Sequence, residues 1–275
     1  MTITHTLRRG IMITAIRNLS LLFMVFVAPI QGVANENTAP TNTGPTNNEA
    51  NYRACLNMAS SNPYDAFDEA VRWEGLGGGH PARYCALAAL MGMGRFDEAA
   101  QGFEGLANEV DASKEFKARL LSRAAEAWLL FDQLDTALDV IDTAVTMSPD
   151  DAEPLVIRAQ IFAAKGAFWE ATDDLGQAIS ISPFDADALA FRASAWRQLD
   201  VLDLAKEDAL RALQIAPSHP AALLELGNIQ RIEGDDNQAR KNWMTIISTW
   251  PTSKAALAAQ TNIELLDIKK NERNN

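Results

Sequence analysis

Residues 152–185, AEPLVIRAQIFAAKGAFWEATDDLGQAISISPFD, and residues 186–219, ADALAFRASAWRQLDVLDLAKEDALRALQIAPSH, decide the fold when one is laid under the other. Leu155 falls on Leu189, Ala159 on Ala193, Gly166 on Asp200, Ala171 on Ala205 and Pro183 on Pro217. The step is 34 residues each time, and it continues on both sides. Prolines stand at Pro149, Pro183, Pro217 and Pro251, and alanines at Ala137, Ala171, Ala205 and Ala239. Small residues stand at Ala125, Ala159, Ala193 and Gly227, and leucines at Leu121, Leu155, Leu189 and Leu223. Asp132, Gly166, Asp200 and Gly234 keep the same step. Proline stops a helix interior and suits its first turn or the link before it. Gly and Asp are turn residues. Each unit therefore predicts a helix, a tight turn, a second helix and a stop.

This pattern resembles the tetratricopeptide repeat, whose signature is a 34-residue period with small, aromatic and proline positions. The bulky position of that family holds Trp128, Phe162, Trp196 and then Gln230. The resemblance covers residues 80 to 253. It implies an all-α fold, a TPR-type α-solenoid of antiparallel helix hairpins with a C-terminal capping helix. The register assigns repeats to 80–111, 118–151, 152–185, 186–219 and 220–253. Ala99 and Ala137 are 38 residues apart, so four extra residues lie near 108–115, where a longer loop is expected and Glu115 replaces the proline. Upstream, 50–76 reads as a degenerate helical hairpin that ends in the Gly-rich stretch Gly75–Gly79, taken as a flexible turn. Downstream, 254–270 places Leu257, Ile263, Leu265, Leu266 and Ile268 among polar residues and reads as a solvating cap helix. Asp150, Asp151, Asp185 and Ser218 stand where N-caps are wanted.

The N-terminus reads as an address. Arg8, Arg9 and Arg17 precede the apolar run Leu19–Ile30, and Gly32-Val33-Ala34 sets small residues before a cleavage point. That is the layout of a secretory signal peptide over residues 1–34, with Met12 as an alternative start. A dozen apolar residues are short for a permanent span, so no stable membrane span is expected after cleavage. An uncleaved signal anchoring the chain to the inner membrane is the alternative. Residues 35–48 hold almost nothing to bury and read as a disordered linker. The expected location is the periplasm.

Net charge is −12, and residues 1–34 hold three arginines and no acid, which leaves about −15 beyond them. Such a surface repels phosphate backbones and argues against nucleic-acid binding. Cys55 and Cys85 are the two cysteines of the chain. In an oxidising compartment they suggest one disulfide, because the resemblance stacks their two hairpins as neighbours. Separate buried thiols are the alternative. His80 and His219 both adjoin prolines and make no ligand cluster, so no metal or cofactor is expected. The same scarcity of histidine leaves no Ser/His/Asp set and points away from an enzyme. Asp173-Asp174 and Asp235-Asp236 are adjacent pairs that diverge on a helix and read as solvated faces.

Two features point to a partner. Trp169 stands where the other repeats carry Asp97, Asp135, Asp203 and Asn237, an indole in a wet position that is either a binding anchor or folded back on Phe168 or the next turn. The resemblance also places a ligand surface on the concave face of the first helices, near Arg119, Ser122, Glu126, Gln160, Ser194, Arg197, Asn228 and Arg231. The family's clamp for a peptide carboxylate needs Lys, Asn and Arg where this chain has Ser122, Arg123, Glu126, Val156, Ile157 and Gln160. The expected role is a non-enzymatic scaffold that binds a protein or peptide along the groove. The alternative is a self-association module whose groove takes a second copy, a homo-oligomer. N-terminal sequencing of the protein recovered from cells should begin at Asn35; an intact residue 1–34 segment would contradict the cleaved-signal expectation.

Overall fold

The Gly/Asp rung of the ladder is a geometric requirement. In the computed structural model, which describes residues 48–274, Asp132 and Asp200 have φ of 61°, Gly166 77° and Gly234 89°. These are left-handed positions, where Gly is free and Asp is among the better tolerated alternatives. At each turn the amide of the residue after the left-handed one bonds back to the bulky position. Gln133 donates to the Trp128 carbonyl at 2.9 Å, Ala167 to Phe162 at 2.8 Å, Val201 to Trp196 at 2.9 Å and Asp235 to Gln230 at 2.8 Å. This is the Schellman closure, and it fixes the angle between the two helices of every hairpin. The expectations for the signal segment 1–34 and the linker up to residue 47 lie outside the described residues.

Thirteen α-helices follow in the described residues: α1 (Asn48–Ser61), α2 (Pro63–Trp73), α3 (Gly79–Gly92), α4 (Phe96–Glu109), α5 (Lys114–Leu130), α6 (Leu134–Met147) and α7 (Ala152–Ala164). The array continues as α8 (Phe168–Ile181), α9 (Ala186–Gln198), α10 (Leu202–Ile215), α11 (Pro220–Glu233), α12 (Asp236–Thr249) and α13 (Lys254–Asn274). Odd-numbered helices pack on one another at α1–α3, α5–α7, α7–α9, α9–α11 and α11–α13, and each even-numbered helix packs on the odd helices before and after it. The first helices therefore line the inner face of an all-α solenoid and the second helices its outer face.

Packing is built on alanine. Ala99, Ala137, Ala171, Ala205 and Ala239 have no exposed surface, nor do Ala125 and Ala193 on the facing helices. A side chain of one carbon lets helix axes approach to the short end of the usual 8–10 Å range. The last repeat breaks the rule with a compensated swap. Trp243, fully buried, stands where Ala209 stands one repeat earlier, and Gly227 replaces the alanine opposite it. A methyl group on Gly227 would lie 2.5 Å from Trp243 Nε1.

Four expectations are corrected. The extra residues before Ala118 make no longer loop: 110–113 is four residues, the length of the links at 148–151, 182–185 and 216–219. The insertion extends α5, which has 17 residues where α7 and α9 have 13. One added helical turn absorbs four residues without disturbing the stack, and the residue matching the ladder proline is Asp111, not Glu115. The Gly-rich stretch is no loose turn either: Glu74–Gly78 forms a π-helical turn, kinked at Gly77 with φ of 93°, that runs directly into α3. Asp174 is buried, not solvated, because Arg158 on α7 forks onto both its oxygens at 2.7 Å. The α9–α10 hairpin repeats the device with Arg192 and Asp208 at 2.7 and 2.8 Å. Lastly, α11 is capped by His219 rather than Ser218. His219 Nδ1 accepts from the Ala222 amide at 3.3 Å, so Nε2 carries the proton and donates to Asp187 at 3.0 Å. Asp151 and Asp185 do cap α7 and α9.

Cys55 on α1 and Cys85 on α3 form a disulfide, with Cα atoms 6.1 Å apart, that ties the first hairpin to the array. Closing a 30-residue loop in this way stabilises by about 3–4 kcal/mol in the chain-entropy account. Gly227→Ala should lower stability by about 1–3 kcal/mol through overpacking, and Trp243→Leu should suppress much of that loss. Additive losses in a thermal-denaturation cycle would show that the two residues are not coupled.

Candidate functional site

The inner face carries one polar residue on each of α5, α7, α9, α11 and α13 in the same register: Glu126, Gln160, Ser194, Asn228 and Asn262, each 34 residues after the last. Sequence reading named the first four, and the structure continues the row onto α13. Asn262 Nδ2 donates to Asn228 Oδ1 at 2.8 Å, so neighbouring rungs touch. Between the ends the floor is apolar, with Ile157 and Phe191 buried at the register position that holds Arg123 and Glu225 in the flanking repeats.

At the C-terminal end Arg197 is already engaged. Its Nε lies 2.5 Å from Glu225 Oε2, which links α9 to α11 and leaves the guanidinium a structural tie. Arg231 is exposed, and among the described residues it meets no carboxylate at ion-pair distance.

The N-terminal end is a bowl built by four helices. Tyr52 from α1 and Tyr84 from α3 stack edge to face with centroids 5.8 Å apart, and Tyr84 leans on Phe103 at 5.3 Å. Beside them α5 presents Arg119, Ser122, Arg123 and Glu126, and α7 presents Glu153. Arg123 and Glu126 form a buried ion pair at 2.6 Å. The contact runs from Arg123 Nη1 to Glu126 Oε2 without hydrogen-bond alignment, Arg123 Nε has no hydrogen-bond partner among the described residues, and the fully buried Ser122 hydroxyl lacks one there too. Buried polar atoms are paired in most proteins, because each unpaired one costs about 1–3 kcal/mol. Burial pushes the Glu126 carboxyl above the ordinary range against the pull of Arg123, and it raises the Tyr84 and Tyr52 phenols. Glu153 is also raised by its dense surroundings, although its own side chain stays open to solvent. Arg119 is exposed, lies over the Phe116 ring at 5.6 Å and meets no carboxylate among the described residues.

Sequence reasoning named Arg119, Ser122, Glu126 and Gln160 for this end and weighed Arg123 only against the clamp. It missed Tyr52, Tyr84 and Glu153, since nothing in a one-dimensional register shows that α1 reaches the face of α5. Trp169 stands elsewhere. It lies on the second-helix side at the start of α8, is 58% exposed, and packs edge to face on Trp196 with centroids 5.7 Å apart. Trp196 is half-buried and, with Arg192, Leu204, Glu207 and Asp208, lines an open cavity of about 250 Å³. Among the described residues no three His, Cys, Asp or Glu side chains gather to hold a metal.

No family model matches the chain, and no curated protein does. Solved structures do. TTC0263, described as a thermophilic TPR protein of Thermus thermophilus, aligns with a TM-score of 0.58 at 18% identity, over 67% of this chain and 98% of that one. MamA 41-end from Desulfovibrio magneticus RS-1 aligns with a TM-score of 0.51 at 14% identity, over 64% and 97%. At such identities the likeness is one of fold. The fold is that of tetratricopeptide-repeat proteins.

The raised Glu126 carboxyl makes a signed prediction. A carboxyl whose folded pKa exceeds its unfolded value near 4.3 contributes stability at low pH that is lost as pH rises through the folded value. Glu126→Gln should therefore gain stability relative to the native chain as pH climbs from about 4.3 towards neutrality. A difference that stays flat with pH would contradict the raised carboxyl.

Proposed function

We propose that this protein is a non-enzymatic scaffold of the bacterial periplasm that holds a peptide segment or protein surface along its concave face. The observation that carries this reading is the polar row Glu126, Gln160, Ser194, Asn228 and Asn262, one side chain on each of α5, α7, α9, α11 and α13, facing the same side of the solenoid. A chain lying across successive first helices meets the half-buried Ser194, Asn228 and Asn262, with Glu126 and Gln160 buried in the floor beneath the same row, which suits main-chain recognition of an extended segment. The apolar floor at Ile157 and Phe191 gives it a desolvated anchor point. The two cations of this face without a carboxylate partner among the described residues, Arg119 and Arg231, flank the row and favour a partner with acidic residues towards its ends. Periplasmic residence is supported by the signal-like segment 1–34 and by the Cys55–Cys85 bridge, since disulfides persist in oxidising compartments. Among the described residues no helix is long and apolar enough to cross a membrane.

Arg119→Glu combined with Arg231→Glu tests the reading better than changes at Arg197, whose loss would strand Glu225. In-cell cross-linking and pull-down should recover a partner with the native chain and at least about tenfold less with the double variant, a change of roughly 1.4 kcal/mol. Melting temperature should be unchanged. Capture undiminished by the two groove charges, yet lost with Trp169→Ala, would move the binding surface to the outer face.

A further inference from the structure

Helix α13 keeps the register of a first helix, and among the described residues no second helix covers it. Leu257 is the next leucine of the ladder after Leu121, Leu155, Leu189 and Leu223. Where the ladder leucine has its own second helix it is covered: Leu121 is half-buried, Leu155 is 3% exposed, Leu189 0% and Leu223 6%. Leu257 is 64% exposed. Leu265 and Ile268 are exposed as well, at 43% and 55%, and with Leu257 and Thr261 they fall on one face at about 100° per residue. The inner side of α13 is ordinary, with Ala255, Ala256, Ala259 and Leu266 buried against α11 and α12. The solvating cap expected from sequence is therefore half a cap. Leu257 continues the leucine ladder that the preceding hairpins cover, while Leu265 and Ile268 stand in register with Arg231 and Gly234 and extend the apolar face beyond it.

We propose that this outer face of α13 is a self-association surface, covered by α13 of a second copy running antiparallel across a two-fold axis. Three observations favour a second copy. The face is self-complementary: Leu257 stands near one end and Ile268 near the other, so a two-fold exchanges them and sets Leu257 on the partner subunit's Ile268. Charge points the same way. Residues 236–275 hold six Lys or Arg and four Asp or Glu, a balance of +2, within a chain of net −12. Two copies therefore repel along their acidic bodies and repel least where these ends meet. Finally, each second helix among the described residues already packs on its own first helix, so none is free to fold over α13. The inference is independent of the groove reading, because none of its residues lies in the polar row.

Light scattering on the purified protein across a concentration series should show a monomer–dimer equilibrium. Leu257→Asp with Ile268→Asp should weaken the dimer at least about tenfold while leaving the melting temperature unchanged, since both side chains are exposed. The orientation has its own readout: Leu257→Cys with Ile268→Cys should give a disulfide-linked dimer under mild oxidation, and Leu257→Cys alone should not. A monomer at every concentration, a dimer indifferent to the two aspartates, or open-ended larger species would each overturn the proposal.

Discussion

The structure depends on a close approach between helices that only alanine or glycine allows. Each hairpin closes on an alanine without exposed surface, Ala99, Ala137, Ala171, Ala205 or Ala239, with a small residue on the facing helix. That contact sets how near the helices lie, and the left-handed turn at Asp132, Gly166, Asp200 or Gly234 sets their angle. Once distance and angle repeat, so does the stacking of hairpin on hairpin, and the first helices are bound to line one face. Where a large residue enters the interface, as Trp243 does, the partner must shrink to Gly227. Four added residues are absorbed as a helical turn in α5, because lengthening a linker would have broken the stack.

What could be read from sequence was what repeats. The leucine, alanine, turn and proline positions recur at 34, so periodicity separates them from chance, and the helical hairpins of the solenoid follow. What occurs once or twice stayed hidden. The Arg158–Asp174 and Arg192–Asp208 forks occupy two repeats only, and an aspartate 16 residues past an arginine has no local signature. The bowl of Tyr52, Tyr84, Arg123, Glu126 and Glu153 draws on four helices and on a disulfide that brings α1 to α3. His219 displaced Ser218 as a cap because its second nitrogen has Asp187 to bond, a contact across 32 residues.

The ends of the array differ in kind. At the N-terminal end the groove is polar and under-bonded, and the first hairpin is fastened covalently. At the C-terminal end the groove is self-satisfied through Arg197–Glu225 and Asn228–Asn262, while the outer face of α13 is left apolar. A scaffold arranged this way can hold an extended segment along its inner face and pair with its own copy at the far end, because the two surfaces share no side chain.

The claim at the centre of this account is that the inner face of the first helices is the ligand surface. Photoreactive residues placed singly at Val156, Ser194 and Asn228 on that face, and at Asp173 and Lys206 on the outer face, test it in the cell where the protein is made. The account predicts the same cross-linked partner from the three inner positions and none from the two outer ones. Adducts confined to Asp173 and Lys206 would contradict it.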